Sequence, residues 1–302
     1  MKRIVKLKKQ ENETLSIQFE NFINDCIVRG MSKDTIASYK SQVNLFVNFT
    51  GDREVNTQLI NDYVLHMRAK GNNDQTIRSK IKFVRTFLNH CGYEDNIKYP
   101  IITVNRSAKE PYTSEEIKAL IKPPTRNAYT EWRNHAIVCT FLATGMRLRT
   151  LVNLKISDVD FKNNTIHLRV TKTHKDYYIP LSSDLKATLK NYLSLFEHEE
   201  NDYLFMSMYG DKLSRPSLKE AIRTYNQKRG VTRGSVHLYR NTFAVNFLKN
   251  GGNLFTLKEI LGHTDISVTQ QYLKFTVEDL QANFDDFCPL DTCKRKGIKI
   301  KK

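Results

Sequence analysis

The helical spacing of apolar residues between residues 15 and 92 constrains the fold more than any other feature. Four segments repeat apolar side chains every three or four positions, which is the period of a helix with one buried face. The segments are LSIQFENFINDCIVRG, SKDTIASYKSQVNLFVNF, TQLINDYVLHMRAKG and NDQTIRSKIKFVRTFLNHCG. Ser32 or Asp34 is the candidate cap of the second helix, and Gly92 is the candidate stop of the last. The pattern predicts a small helical domain.

Two of these helices also indicate which side chains form the core. We expect burial of the apolar residues that share one face, namely Ile36, Tyr39, Val43, Phe46 and Val47 in the second helix and Ile77, Ile81, Val84 and Leu88 in the last. The opposite faces are rich in Lys, Arg, Ser, Asn and Gln. Such a surface fits contact with the phosphate backbone of DNA, and it is also the ordinary composition of a solvated face.

A stretch without periodicity separates this helical part from the rest of the chain. Residues 93–112 contain two prolines and no sustained apolar repeat, which is typical of a linker. We therefore predict five segments along the chain. They are a basic leader over residues 1–12, a helical domain over 13–95, a linker over 96–112, a second domain over 113–287 and a basic tail over 288–302.

The second domain begins with helices and contains the one convincing β region. Thr113 and Glu116 form a capping-box pattern, and Gly145 is a candidate left-handed stop for the helix that contains Ala136 to Phe141. A short helix is expected from about Leu148 to Leu154. The segments NTIHLRV and YYIPL alternate as strands do and flank the polar turn TKTHKD. The predicted fold class is mainly α with a small antiparallel β-sheet (α+β).

Capping patterns predict the remaining helices. Ser217 with Glu220 and Thr256 with Glu259 each match the capping box, and SVHLYRNTFAVNFLKNGG reads as a long helix closed by its two glycines. Gly262 is expected to end the helix that Thr256 opens. Ser267 with Gln270 is expected to open a last helix, with Tyr272 in its second turn.

Composition excludes several classes of protein. The chain has no apolar run of 18 residues, so it has no membrane span, and no apolar stretch follows its basic N-terminus as in a secretory signal. Five scattered cysteines predict reduced thiols and a cytoplasmic location. Of the 48 Lys and Arg residues, five lie in residues 1–9 and six in residues 294–302, without any acid. These basic ends fit attraction to DNA phosphates or, alternatively, a role in solubility alone.

Six polar residues of the second domain have ordinary explanations when each is considered alone. Arg147 follows a helix-ending glycine, Lys172 lies at the hairpin tip, and His237 and Arg240 share a helix face because they are three residues apart. Each of these four fits an exposed surface position. His263 follows the predicted helix end, and Tyr272 fits a packing role as well as a chemical one.

The order and spacing of these residues resemble the tyrosine recombinase (phage integrase) family. The matching segments are ATGMRLRTLVNLKISDVD, VTKTHKDYYIPL, HLYRNTFA and LGHTDISVTQQYL, which lie within residues 113–275 in family order. The resemblance implies a helical core-binding (SAM-like) domain followed by a catalytic domain. Because the predicted helices begin near residue 15, the chain resembles the simple two-domain type without an arm-binding domain.

The resemblance also implies a role for each of the six residues. Tyr272 would attack a DNA phosphorus and form a 3′-phosphotyrosyl bond, with a free 5′-hydroxyl as the other product. Arg147 and Arg240 would hold the non-bridging phosphate oxygens, a task that suits planar guanidinium groups.

Lys172 would protonate the departing 5′-oxygen, with Lys175 of the same turn as the alternative. His237 would accept the phenol proton, and His263 would hydrogen-bond to the phosphate. Neither a metal nor ATP is needed for this chemistry, and the sequence contains no metal-binding motif or phosphate-binding glycine loop. We therefore predict no cofactor.

Two positions depart from the family pattern. Thr150 stands where many members have an acidic residue that supports the first arginine, so Arg147 is expected to be held differently. Asn241 stands where many members have a second histidine after the HxxR motif.

The implied partners are duplex DNA at specific sites and further copies of the chain, as a tetramer at synapsis. Phe275, Leu280 and Phe284 would anchor a C-terminal helix on a neighbouring subunit, or else pack that helix on their own subunit. Integration or excision of a mobile element, inversion, dimer resolution and the need for an accessory protein that sets direction all stay open.

Two other functions remain as alternatives. A type IB topoisomerase uses the same chemistry to nick and reseal one strand, and a non-catalytic DNA-binding relative would keep only the fold. The HxxR segment, the Gly-His segment and the small helical front domain favour the recombinase over the topoisomerase. The presence of all six residues disfavours the non-catalytic relative.

Overall fold

The computed structural model describes residues 14–104, 110–125, 128–169, 176–270 and 272. The chain divides into two compact units, one within residues 1–107 and one within residues 108–302, and each is described by itself. Four predicted features lie outside the described residues: the basic leader, the basic tail, Lys172 with Lys175, and the C-terminal helix with Phe275, Leu280 and Phe284.

Within residues 14–104, the first unit contains four α-helices around one apolar core. They are α1 (Leu15–Val28), α2 (Lys33–Thr50), α3 (Thr57–Ala69) and α4 (Asp74–His90). The predicted apolar face of α4 is buried, and so are Val43, Phe46 and Val47 of α2. Ile36 and Tyr39 are partly buried against the same core. Of the two candidate caps of α2, Ser32 is the one whose side chain accepts a hydrogen bond, from the N–H of Thr35.

The segment predicted as a linker contributes to both cores. Ile97 is buried in the core of the first unit, and Ile102 packs against it. Tyr112 is buried in the core of the second unit, where its N–H donates to the hydroxyl of Thr242 at 2.9 Å. The segment carries these apolar residues without helical spacing, so its packing does not show in the periodicity of the sequence.

The second unit is helical with one small sheet. Its helices are α5 (Ser114–Ile121), α6 (Tyr129–Thr144), α7 (Leu148–Leu151), α8 (Ser183–Leu193), α9 (Arg215–Lys228), α10 (Val236–Lys249), α11 (Leu254–Leu261) and α12 (Ser267–Gln270). The strands β1 (Val159–Asp160), β2 (Thr165–Leu168) and β3 (Tyr177–Pro180) pair antiparallel in that order. Helix α6 is central, because α5, α8, α9 and α10 all pack against it. The predicted fold class is confirmed.

Several local predictions for this unit are confirmed. Thr113 and Glu116 make both hydrogen bonds of a capping box at the start of α5. Gly145 and Gly262 adopt the left-handed conformation directly after α6 and α11. In the hairpin, Ile166 pairs with Ile179 and Leu168 pairs with Tyr177, and the alternate residues Ile166 and Leu168 are buried as expected.

Two predicted helix starts are wrong. Helix α9 begins earlier than expected, with Ser214 rather than Ser217 as its cap, and α11 is capped by Asn253 rather than Thr256. The last helix, α12, begins at Ser267 as expected, and the N–H of Ser267 donates to Asp265. A Ser or Thr three residues before Glu or Gln also occurs inside helices. The pattern alone therefore does not identify the N-cap residue, which has extended rather than helical backbone angles. Helix α8 had no counterpart among the predictions.

The position of Tyr272 also differs from the prediction. Helix α12 ends at Gln270, so Tyr272 lies after the helix rather than in its second turn. Its N–H donates to the carbonyl of Thr269 at 3.1 Å.

Among the described residues, no helix is long and apolar enough to cross a membrane.

We expect Gly145→Ala to destabilise the second unit by about 2–4 kcal/mol. Gly145 has a φ of +60°, and an added Cβ would lie 2.5 Å from the ring of Phe243 and 2.9 Å from a methyl group of Leu261. Gly230→Ala is the matched control, because Gly230 has a φ of +74° and open space at the Cβ position. It should cost only about 1 kcal/mol. Scanning calorimetry of the two variants measures the difference, and equal losses would contradict the steric explanation.

Candidate active site

The ends of two helices meet around one buried arginine. Arg240, which is 6% exposed, donates from Nη1 to the carbonyl of Gly145 at 2.8 Å and from Nη2 to that of Leu261 at 2.9 Å. These carbonyls lie at the C-terminal ends of α6 and α11, where the helix dipole places partial negative charge. The buried guanidinium is therefore stabilised by backbone groups of both helices.

A second guanidinium reaches the same helix end from the solvent side. Arg147 directly precedes α7, is exposed, and donates to the carbonyls of Leu261 and Gly262 at 3.3 Å each. Arg147 and Arg240 thus share one carbonyl acceptor. Burial and, to a smaller extent, the positive charge of Arg147 lower the pKa of Arg240 to about 10, with Tyr272 acting in the opposite direction. Positive charge is concentrated here, which favours an anion between the two groups.

His263 lies directly behind these arginines. It is buried, and its Nε2 is 2.6 Å from Nη2 of Arg240 while its Nδ1 is 2.8 Å from the hydroxyl of Thr269. Burial is the main reason that the pKa of His263 falls to about 4, and the charges of Arg240 and Arg147 add to the effect. The ring is therefore neutral near pH 7.

Tyr272 completes the group. Its ring is parallel to that of His263, with the centroids 6.4 Å apart and the planes at 13°, and its phenol hydrogen-bonds to Arg240. The ring is partly buried against a small apolar cluster of Ala244, Leu257 and Leu261. The nucleophile predicted from the sequence is thus next to one predicted arginine and one predicted histidine.

His237 lies on the same helix as Arg240 but at its exposed start. It lies exposed in the first turn of α10, three residues before Arg240, so both side chains leave the helix from the same face. Lys172 lies outside the described residues. The strands that flank its hairpin are described: β2 ends at Leu168 and β3 begins at Tyr177.

Tyr177 of β3 connects the hairpin to the site. A Cβ added to Gly262 would be 2.5 Å from the phenol oxygen of Tyr177, so the two residues are in close contact. Burial raises the pKa of Tyr177, while the nearby charges of Arg147 and Arg240 lower it. The base of the predicted lysine hairpin therefore lies against the turn that carries His263.

The sequence motifs do not indicate Tyr177 or Thr269 as site residues. Two signals could have indicated them. Thr269 precedes Tyr272 by three residues, and Tyr177 shares a strand face with Ile179, which is buried.

Thr150, the first departure from the family pattern, lies in α7, and the guanidinium of Arg147 is held by backbone carbonyls. Within the described ranges, no group of three or more His, Cys, Asp or Glu side chains is placed to hold a metal ion.

Each of the two units matches a family model. Residues 111–278 match the model described as the phage integrase family, and residues 19–90 match that of the phage integrase N-terminal SAM-like domain. The tyrosine recombinase XerA of Thermococcus kodakarensis is 30% identical over 280 residues, which are 90% of this chain and 94% of that relative. The tyrosine recombinase XerD of Halalkalibacterium halodurans is 26% identical over 298 residues, which cover 90% of this chain and 98% of that relative.

Solved structures share the fold. The Tn1549 transposon integrase in complex with circular intermediate DNA superposes with a TM-score of 0.74 at 16% identity, over 91% of this chain and 100% of that one. The XerH site-specific recombinase bound to a palindromic difH substrate gives a TM-score of 0.69 at 19% identity, over 90% and 85%. The crystal structure of XerA recombinase gives 0.50 at 27% identity, over 91% and 99%.

Proposed function

The chain belongs to the phage integrase family of tyrosine recombinases, and from this premise we propose that it cuts and rejoins DNA at specific sites through Tyr272. The observation that carries the proposal is the meeting of two guanidinium groups, a neutral imidazole and a phenol around the ends of α6 and α11. A DNA phosphate is the ligand that suits this group, because its two non-bridging oxygens only accept hydrogen bonds and carry negative charge.

The proposed reaction exchanges one phosphoester bond for another. The phenol oxygen of Tyr272 attacks the phosphorus, a bond forms between them, and the bond from phosphorus to the 5′-oxygen breaks. His237 takes the phenol proton, and Lys172 gives a proton to the 5′-oxygen. The products are a 3′-phosphotyrosyl link and a free 5′-hydroxyl. A 5′-hydroxyl from another strand reverses these steps and joins the strands, so the energy of the original bond is retained.

The two arginines stabilise the charge that grows on the phosphate. Negative charge increases on the non-bridging oxygens as the phosphorus becomes five-coordinate, and fixed guanidinium groups in a partly buried site stabilise it strongly. Arg240 is fixed by the carbonyls of Gly145 and Leu261 before any DNA binds, so little reorganisation is needed.

Trapping of the covalent intermediate tests this proposal. The protein is incubated with duplex DNA from the flanks of its own gene, with a nick placed next to each candidate phosphate in turn. Cleavage beside a nick releases a short strand, so rejoining is slow and the intermediate accumulates. We expect a protein–DNA adduct that survives SDS, with the protein on the 3′-phosphate and a 5′-hydroxyl that polynucleotide kinase can label.

The same preparation separates the recombinase from the alternatives. Supercoiled plasmids with and without the trapped site are incubated with the protein. Relaxation of both plasmids at equal rates, with adducts at unrelated sequences, would favour the topoisomerase. Tight binding without any adduct at any nick would favour the non-catalytic relative and contradict the proposal.

We further propose that the enzyme works as a tetramer on two DNA sites. The family membership supports this assembly, because cutting and exchanging four strands needs one nucleophile for each strand. Sedimentation of the protein with one site and with two linked sites measures the stoichiometry. Recombination by a species with two subunits would contradict the tetramer.

A further inference from the structure

The His263 ring is held at both nitrogens by groups of different kinds. Nε2 faces Nη2 of Arg240 at 2.6 Å, and Nδ1 faces the hydroxyl of Thr269 at 2.8 Å. A guanidinium only donates hydrogen bonds, so Nε2 must accept, and the ring proton must be on Nδ1. The hydroxyl of Thr269 is therefore the acceptor for that proton in this arrangement.

The role proposed for His263 needs the opposite arrangement. Phosphate oxygens only accept hydrogen bonds, so the imidazole can contact a phosphate from Nε2 only when the proton is there. Nδ1 then has a lone pair and needs a donor. A threonine hydroxyl meets both requirements from one position, because rotation about its C–O bond turns it from acceptor to donor.

We propose that Thr269 is a positioning residue that lets His263 change its neutral tautomer when its partner changes from Arg240 to a DNA phosphate. This inference rests on the proposed function of the site. The change leaves the number of protons on the ring constant: Nδ1 releases one proton to water, Nε2 takes one proton from water, and the hydroxyl turns its hydrogen towards Nδ1. The burial of Thr269, which is 0% exposed, leaves the hydroxyl beside Nδ1 in both states.

Thr269 also connects the histidine to the nucleophile. Its carbonyl accepts a hydrogen bond from the N–H of Tyr272 at 3.1 Å. Its side chain hydrogen-bonds to the His263 ring, on which the Tyr272 ring stacks. The charged and titratable groups around His263 are Arg240, Arg147 and Tyr272, with Tyr177 against the adjacent Gly262. Of these groups none contacts Nδ1 in the described structure, so the hydroxyl of Thr269 controls that nitrogen.

The test compares three variants of the full chain. Thr269→Val removes the hydroxyl and keeps the shape, and Thr269→Ser restores the hydroxyl. Thr140→Val is the matched control, because Thr140 is also 0% exposed and its hydroxyl donates only to the carbonyl of Ala136 within α6. Adduct formation on nicked DNA and equilibrium DNA binding are measured for each. We expect Thr269→Val to lower the cleavage rate about 10-fold to 100-fold, with binding unchanged. Thr269→Ser and Thr140→Val should cleave within about threefold of wild type.

A spectroscopic measurement tests the tautomer directly. Selective ¹⁵N labelling of histidine distinguishes a protonated ring nitrogen from one with a lone pair, and the signal of His263 is assigned by its loss in His263→Gln. We expect the proton on Nδ1 in the free protein and on Nε2 in the complex of Tyr272→Phe with uncut DNA. A tautomer that stays the same would overturn the proposal, as would a Thr269→Ser variant as slow as Thr269→Val. The spectrum of the free protein does not depend on cleavage. Failure of the proposed function would therefore be seen separately, as a wild-type protein that forms no adduct.

Discussion

Replacing Tyr272 with Phe is expected to abolish the covalent adduct while the protein still folds and binds DNA. The phenol oxygen is the only atom removed, and it is the proposed nucleophile, so the cleavage rate should fall by more than about 10⁴-fold. The ring that remains can keep its contacts with His263 and with the apolar cluster of Ala244, Leu257 and Leu261. Loss of the hydroxyl beside Arg240 should therefore affect chemistry far more than stability.

Tyr177→Phe is the control for this variant. Its phenol also lies near Arg147 and Arg240, so a general loss of hydroxyl groups around the arginines would appear in both variants. We expect Tyr177→Phe to retain adduct formation, because its oxygen packs against Gly262 and is not the proposed nucleophile. An SDS-resistant adduct in Tyr272→Phe would show that another residue attacks the DNA.

The parts of the fold that the sequence predicts correctly depend on neighbours along the chain. Helix faces follow from spacing, as with Ile77 and Ile81 of α4, and the left-handed ends at Gly145 and Gly262 follow from the steric freedom of glycine. The capping box at Thr113 needs only the next three residues. Each of these features is local, so few alternatives compete with it.

The parts that the sequence does not predict depend on contacts between distant segments. Nothing in the spacing of HLYR indicates that Arg240 joins the carbonyls of Gly145 and Leu261, which are 95 and 21 residues away. The contact of Tyr177 with Gly262 likewise joins residues that are far apart along the chain. The resemblance to a known family indicated which polar residues meet, but only the structure indicates that backbone carbonyls and Thr269 hold them in place.

Lysine substitutions should separate the two roles of the arginines. Arg147→Lys and Arg240→Lys each keep a positive charge near the phosphate and remove the planar pair of donors. We expect each to lower the cleavage rate about 10²-fold to 10³-fold, which is the usual cost of removing one fixed donor from a transition state. Adduct formation on nicked DNA, measured under single-turnover conditions, gives both rates.

Their effects on stability should differ, because only one of the two guanidinium groups is part of the interior. Arg240 uses separate nitrogens for the carbonyls of Gly145 and Leu261, and a single ammonium cannot reach both in the same geometry. A buried carbonyl without a donor costs about 1–3 kcal/mol, so Arg240→Lys should lower the free energy of unfolding by that amount. Arg147 is exposed, and water can replace its donors at the carbonyls of Leu261 and Gly262. Arg147→Lys should therefore change stability by less than about 0.5 kcal/mol. Calorimetry of both variants measures the difference, and equal stability losses would mean that Arg240 does not hold the two helix ends together.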